Sequence, residues 1–329
     1  MPCMQGYAGR IVQQMFWDGN KTQMNTPPVI IPGVRFEHLI GVGGMSEVWL
    51  GYHGGMKKEV AIKVMKREAA ASGEDIRQFM QECRVMESID HPGIVHSYEA
   101  DCRDGRYYFI MDYVDGYTFA TVLARQNQIT VTDALIILDS VSEALSYAWY
   151  EHGVIHCDIK PDNIMVGSDG IVKILDLGLC NIIDGASHDV RLDIKSAEKA
   201  TIVGTPAYMS PERIYGDRDI DVRSDIYCLG ATLYHLLTGR VLFPDSSNDD
   251  TLRFHVDPSM SATDPRLLNE DIPEGLARIL SKMCVKDVDL RYENWEAVLE
   301  DSRLFQSGGM PQSLPQGVSS SIGMDGRKD

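Results

Sequence analysis

No stretch of this 329-residue chain approaches the roughly 18 uninterrupted apolar residues that a bilayer-crossing helix needs. Its opening segment, MPCMQGYAGRIVQQMFWDGN, lacks a charged start followed by an apolar block, so no secretory signal is expected there. Paired cysteines are missing too. The seven (Cys3, Cys83, Cys102, Cys157, Cys180, Cys228 and Cys284) are odd in number, scattered and without C-x-x-C spacing. That pattern fits free thiols in a reducing compartment, and the expected location is the cytoplasm. Positive charge is scarce: 31 Lys and Arg against 48 Asp and Glu give a formal charge of −17 at pH 7. Phosphate backbones are held by basic surfaces, so a general nucleic-acid role is excluded and basic protein or peptide partners are favoured. Internal repeats are absent as well.

What is present is the material for a large core, at 44% hydrophobic and 24% charged residues. Residues 1–33 are polar and methionine-bearing and end in Pro27-Pro28 and Pro32-Gly33, which predicts a flexible leader. Short β-rich runs follow, at Val48–Tyr52, Val60–Val64 and Tyr107–Met111, interrupted by one helix from about Gly73 to Ile89. After Gly116 the pattern becomes helical, over Val131–His152, Ser224–Thr238, Pro273–Cys284 and Trp295–Phe305. The expected fold is α+β and bilobal, with a small antiparallel β lobe plus one helix (34–114) and a larger mainly helical lobe (117–305). A nucleotide could sit shielded in a cleft between such lobes. Residues 306–329, rich in Ser, Gly and Pro, are expected to be disordered.

Gly41-Val42-Gly43-Gly44-Met45-Ser46-Glu47-Val48 lies between two apolar runs, the strand-turn-strand setting of a loop that covers phosphates. Glycine lets backbone N–H groups come close to anionic oxygens. Lys63, 22 residues after Gly41, sits in an alternating strand where Ala61 and Lys63 share one side and Val60, Ile62 and Val64 the other. A lysine there can hold α- and β-phosphates if an anion orients it. Glu82 on the following helix is the first candidate; Glu87 is the second, although its spacing before His91-Pro92 is short.

A second constellation follows the long helix ending near His152. Asp158 can orient a hydroxyl and accept its proton, Lys160 can stabilise charge on a transferring group, and Asn163 can offer an amide oxygen to a divalent metal. Asp176, after the apolar run Ile171–Leu175, places a hard carboxylate where it can ligate Mg²⁺, and Gly178 permits a sharp turn.

Taken together, the chain resembles the eukaryotic-like protein kinases and, within them, the bacterial receptor-type serine/threonine kinases. The runs that carry the likeness are Gly41–Val48, Val60-Ala61-Ile62-Lys63, His156-Cys157-Asp158-Ile159-Lys160-Pro161-Asp162-Asn163, Asp176-Leu177-Gly178 and Gly204-Thr205-Pro206-Ala207-Tyr208-Met209-Ser210-Pro211-Glu212. Asp225, Gly230 and Arg291 look like further landmarks, and the resemblance covers about residues 34–305. It implies ATP as cofactor, bound over Gly41, Val42, Gly43, Gly44, Met45 and Ser46 and held by Lys63. It also implies Mg²⁺, with Mn²⁺ as an alternative, on Asn163 and Asp176. Met111 would be the gatekeeper, Asp112, Tyr113 and Val114 the hinge offering backbone groups to adenine, and Val48 and Ala61 the groups pressing on its ring. Arg291 would pair with Glu212, and Asp225 would tie the catalytic loop to the core. Lys160 and Thr205 point to the serine/threonine branch, with catalytic roles for Asp158, Lys160, Lys63, Glu82 and Thr205.

The implied activity is transfer of the γ-phosphoryl group of ATP to serine or threonine hydroxyls of protein substrates, with autophosphorylation and room for dimerisation. A pseudokinase scaffold that binds nucleotide without efficient transfer is the alternative, and a small-molecule kinase of similar fold is a third reading. Among Ser187, Ser196, Thr201 and Thr205, Thr201 is best placed for regulatory autophosphorylation. Three residues depart from the common pattern: Ser46 for a third glycine, Leu177 for phenylalanine, and Cys157 for the arginine that usually precedes the base. A thiol cannot fork onto a phosphate, so Cys157 is expected to loosen any dependence on activation-segment phosphorylation.

Overall fold

The computed structural model describes residues 27–176, 181–182, 205–217, 220–244, 247–315 and 317–324. Leu177, Gly178, Ser187, Ser196, Thr201 and Gly204 lie outside them, as do residues 1–26 of the expected leader. The chain divides into two compact units, and the cut differs from a single boundary near residue 115. The described residues up to Gly116 join those from Val166 to Asp176, while Tyr117–Met165 and the described residues from Asn181 onward form the second unit.

In the first unit, strands β1 (Val34–Val42), β2 (Ser46–His53), β3 (Lys58–Met65), β4 (Ser97–Arg103) and β5 (Arg106–Asp112) form one antiparallel sheet in the order β1-β2-β3-β5-β4. Alternation does the sorting here. Val60, Ile62 and Val64 of β3 are buried with Trp49, Tyr108 and Ile110 on one face, while Ala61 and Lys63 project the other way. Helix α1 (Gly73–Ser88) enters after Ser72, whose hydroxyl accepts the Asp75 N–H at 3.2 Å. Its stripe of Phe79, Cys83 and Met86 is buried, and the Phe79 ring lies 5.4 Å from that of Phe109.

The end of the expected leader is not a loose segment. Val29 and Ile31 are buried in the same cluster as Trp49, Val60 and Ile62. Their two apolar side chains cover a sheet face that would otherwise meet water, which a composition dominated by proline and polar residues conceals.

Strands β6 (Gly116–Thr118), β8 (Ile164–Gly167) and β9 (Val172–Ile174) pair in the order β6-β8-β9. Gly116 has to be glycine, because a Cβ there would stand 2.0 Å from the Val166 carbonyl oxygen. Ile174 is bonded through backbone on both sides, donating to Gly93 O and accepting from Val95 N–H, each at 2.9 Å. Those two bonds fix the strand that delivers Asp176.

The second unit is helical: α2 (Phe119–Gln126), α3 (Val131–His152), α4 (Pro211–Tyr215), α5 (Val222–Thr238), α6 (Asn248–Val256), α7 (Pro265–Leu268), α8 (Glu274–Met283) and α9 (Trp295–Gln306). Two short strands, β7 (Val154–Ile155) and β10 (Asn181–Ile182), pair antiparallel. Helix α5 is buried on nearly every side, as expected of a central core helix. At Gly230 an added Cβ would meet Met283 Cβ at 2.8 Å and Cys284 Sγ at 2.7 Å, so the absence of a side chain sets how closely α5 and the end of α8 approach.

The expected disorder of residues 306–329 is corrected over the described part of the tail. Ser321 N–H donates to Cys284 O and its carbonyl accepts from Ala262 N–H, both at 2.8 Å, and Lys286 N–H donates to Ser319 O at 3.1 Å. The Ser321 hydroxyl meets the Tyr227 hydroxyl at 2.6 Å, and Ile322 is buried. A serine-rich segment with one apolar anchor has little helical or strand periodicity of its own. Its hydrogen bonds come from edges that the rest of the unit supplies.

Removing the anchors should show how much they contribute. Ile31→Ala and Ile322→Ala are each expected to cost about 2–4 kcal/mol in denaturant unfolding, while Ile30→Ala, at a site 80% exposed, should cost less than about 0.5 kcal/mol. Equal effects at Ile30 and Ile31 would contradict the packing.

Candidate functional site

In the first unit the glycine-rich turn joins β1 to β2, with Gly41 opposite Val48 and Val48 in turn opposite Lys63 on β3. Val42, Gly43, Gly44 and Met45 are exposed at the turn, whereas Ser46 is buried. Gly43 N–H closes the turn on Ser46 O at 2.8 Å. Lys66, which the sequence did not single out, clasps the same turn. Its N–H donates to Met45 O at 2.8 Å and its Nζ to Gly43 O at 2.5 Å. Only its position just past β3 hinted at this.

Lys63 is nearly buried, and its Nζ lies 2.7 Å from Glu82 Oε1 and 3.1 Å from Asp176 Oδ1. Glu82 is thus the carboxylate brought to the lysine, while Glu87 is exposed on the same helix. Burial works against the Lys63 charge, but Asp176 and Glu82 outweigh it and hold the ammonium well above the usual lysine range. Lys63 is therefore a fixed cation at any accessible pH. The Asp176 carboxylate is 31% exposed, so it keeps an open side for another ligand.

Behind the turn, Ala61 is opposite Met111, and both are buried. Asp112, Tyr113 and Val114 are half-buried as β5 ends. Asp112 N–H already donates to His96 O at 2.9 Å, which leaves the carbonyl as its backbone group able to meet a ligand.

In the second unit the loop after β7 gathers the other predicted residues. Lys160 Nζ lies 2.7 Å from Asp158 Oδ2 and donates to Thr205 Oγ1 at 2.9 Å, so one ammonium joins the carboxylate to the threonine hydroxyl. Asn163 Nδ2 donates to Asp158 O at 2.8 Å and to Asp158 Oδ2 at 3.1 Å, which leaves its amide oxygen to face a cation. Asp158 N–H is held in turn by His156 Nδ1 at 3.1 Å.

The loop takes its shape from Asp225 of α5. One carboxylate oxygen accepts His156 N–H and the other Cys157 N–H, each at 2.7 Å. Cys157 has φ = 66°, a left-handed conformation that a residue with a Cβ adopts only when its surroundings compel it. Arg213 of α4 donates to the Cys157 carbonyl, and Thr232 Oγ1 donates to Ile159 O at 3.2 Å. Arg213 was missed by sequence reasoning, since nothing but proximity to Glu212 marks it. Glu212 itself takes two bonds from Arg291, at 2.8 and 3.0 Å, which fasten α4 to the segment between α8 and α9. Deleting either partner would strand a buried charge at a cost of about 3–5 kcal/mol.

A metal's requirements can be set against these donors. Among the described residues no three His, Cys, Asp or Glu side chains form a closed cage. Each within its own unit, Asp176 offers a carboxylate oxygen and Asn163 an amide oxygen, hard donors of the kind Mg²⁺ accepts.

Burial raises the Asp225 carboxyl to about 6, although the bonds from His156 and Cys157 oppose the shift. The unfolded chain, with an ordinary carboxyl, loses this proton at lower pH. Asp225 therefore stabilises the fold as pH falls from about 6 toward 4, while the loop loses its charged acceptor over the same window. Catalytic rate is expected to fall in a one-proton step centred near pH 6 with no matching loss of thermal stability. A rate profile flat from pH 7 to 5 would contradict this assignment.

The protein-family description "Protein kinase domain" matches residues 34–302. Serine/threonine-protein kinase PknB of Mycolicibacterium smegmatis is 30% identical over 296 residues, covering 88% of this chain and 45% of that protein. Serine/threonine-protein kinase PrkC of Bacillus subtilis is 31% identical over 263 residues, covering 80% of this chain and 39% of that protein. The chain thus spans less than half the length of these curated relatives. Among solved structures, the Mycobacterium tuberculosis PknI kinase domain superposes with a TM-score of 0.64 at 26% identity, covering 84% of this chain and 97% of that one.

Proposed function

The chain belongs to the protein kinase domain family, and on that premise we propose that it transfers the γ-phosphoryl group of ATP to serine or threonine hydroxyls of protein substrates, itself included. The observation that carries the reading is the Lys160 ammonium bridging Asp158 and Thr205. A carboxylate, an ammonium and a hydroxyl in contact support the reading, because such a set is suited to orienting a substrate alcohol.

The family uses ATP and a divalent metal. Lys63, oriented by Glu82, would hold phosphate oxygens under the Gly41–Ser46 turn, whose backbone N–H groups suit anions. Val48, Ala61 and Met111 would contact adenine, and Asp112–Val114 would offer it backbone groups. Asp176 and Asn163 would each supply an oxygen to Mg²⁺, or to Mn²⁺ in its place, and the metal when bound would neutralise phosphate charge. Asp158 would align the attacking hydroxyl and accept its proton, Lys160 would offset charge on the moving phosphoryl group, and Thr205 would keep Lys160 and Asp158 in register.

Basic substrates are supported by the formal charge of −17. A cytoplasmic location is supported by the free cysteines at 83, 102, 157, 228 and 284. Among the described residues, no helix is long and apolar enough to cross a membrane. Dimerisation would bring a second copy within reach for autophosphorylation, with Thr201 as the favoured acceptor.

Transfer of labelled γ-phosphate to a basic protein and to the chain itself tests the proposal. Wild type should label serine or threonine, while Asp158→Asn and Lys63→Ala should each retain less than about one hundredth of the rate. Undiminished labelling by Asp158→Asn would remove the proposed base, and nucleotide binding with no transfer by any form would favour the scaffold reading. Cys157 gives a second test. Because it is buried and already packed against Asp225 and Arg213, phosphatase-stripped enzyme should work within about 100-fold of the autophosphorylated form. A larger gain on phosphorylation would show that another cation reads the phosphate.

A further inference from the structure

The hinge carries a side-chain network that the phosphate chemistry does not use. Tyr98 falls at an irregularity in the β4–β5 ladder, between Ser97 opposite Met111 and Glu99 opposite Ile110. An extra residue in one strand re-aims its side chain. Here the Tyr98 phenol is turned onto Asp112, donating to Oδ1. Lys58 donates to that phenol and, at 3.0 Å, to the same carboxylate oxygen, and its Nζ stands 4.1 Å from the Tyr98 ring centroid. Lys58 opens β3 two residues before Val60, the residue opposite Asp112. Strands β3, β4 and β5 therefore converge on one hinge side chain.

The ion pair alone would contribute little, because Lys58 and Asp112 are 40% and 29% exposed. What distinguishes the cluster is the shared phenol, whose ring also packs against the sheet's buried face. Burial works against the Asp112 charge, yet the bonds from Tyr98 and Lys58 hold its carboxyl below the usual range. With its N–H on His96 O and its carboxylate on two side chains, Asp112 has little conformational freedom left to lose.

We propose that Lys58 and Tyr98 are positioning residues for nucleotide binding, clamping the Asp112 side chain so that the backbone of Asp112–Val114 is already in place for a purine. The proposal rests on the reading of those three residues as the adenine-contacting hinge. Ordering a free backbone at the moment of binding costs affinity, and a clamp removes that cost in advance. The effect belongs to purine affinity rather than to the transfer step.

The test compares wild type with Tyr98→Phe, Lys58→Met, the double variant and Lys58→Arg. It measures ATP KM and kcat, ADP affinity by calorimetry, and affinity for inorganic tripolyphosphate, which has phosphates but no purine. Tyr98→Phe and Lys58→Met should each weaken ADP binding and raise ATP KM about five- to tenfold, with kcat within about twofold and tripolyphosphate affinity unchanged. The double variant should lose little more than either single one, and Lys58→Arg should recover most of the loss. Unchanged ADP affinity, or an equal loss for tripolyphosphate, would overturn the clamp. Wild-type affinity for ADP no better than for tripolyphosphate would overturn the hinge reading itself, and the clamp with it.

Discussion

A buried carboxylate holding two backbone N–H groups is the constraint on which the second unit's chemistry depends. Asp225 spends both oxygens on His156 and Cys157. In exchange, Cys157 is kept in a left-handed conformation that costs an L-residue roughly 1–2 kcal/mol. That turn sets the direction in which Asp158 leaves the loop, and Lys160 and Asn163 are positioned on Asp158. Asp225 can do this because α5 is enclosed by the rest of the unit, and Gly230 on the same helix admits the end of α8 to close the core. The cost is a carboxyl raised by burial to about 6, so it still carries its charge at neutral pH but gives it up at a higher pH than an ordinary aspartate.

The first unit solves a comparable problem with opposite charge. Lys63 is buried on a strand whose other face packs Val60, Ile62 and Val64 into the apolar cluster, and it stays cationic because two carboxylates, from α1 and from the segment after β9, reach it. The glycine-rich turn is held by Lys66 from just past the same strand, and the Asp112 carboxylate by Lys58 from its beginning. Strand β3 and the residue that follows it thus direct three lysines, Lys58, Lys63 and Lys66, at three different backbone or carboxylate targets. Position along the chain decides the target in each case, through strand alternation for Lys58 and Lys63, since all three side chains carry the same charge.

Legibility in the sequence followed the range of the interactions. The β3 alternation, the buried stripe of α1 and the helical character after Gly116 come from local periodicity, and the structure has them where periodicity placed them. Spacing along α1 favoured Glu82 over Glu87, and Glu82 is the residue that meets Lys63. The partners Asp225 and Arg291 were suggested by resemblance, since the contacts of Asp225 with His156 and of Arg291 with Glu212 span 69 and 79 residues. Local pattern carries no trace of such distances. Val29, Ile31 and the 319–322 segment were misjudged for a related reason. Composition counts apolar residues along a segment, whereas burial depends on whether another element offers a face or an edge to receive them.

The sequence by itself determined the α+β order of elements, the motifs and the residue types able to move a phosphoryl group, because these are written in short-range patterns and fixed spacings. Only the tertiary structure decided that Asp176 joins Glu82 on Lys63, how Asp225 bends the catalytic loop, that a bulged Tyr98 and Lys58 close on Asp112, and that both ends of the described chain pack against their units. Those outcomes depend on hydrogen bonds and apolar contacts between residues far apart in the chain. Such contacts acquire partners only after the sheet and the helices have formed.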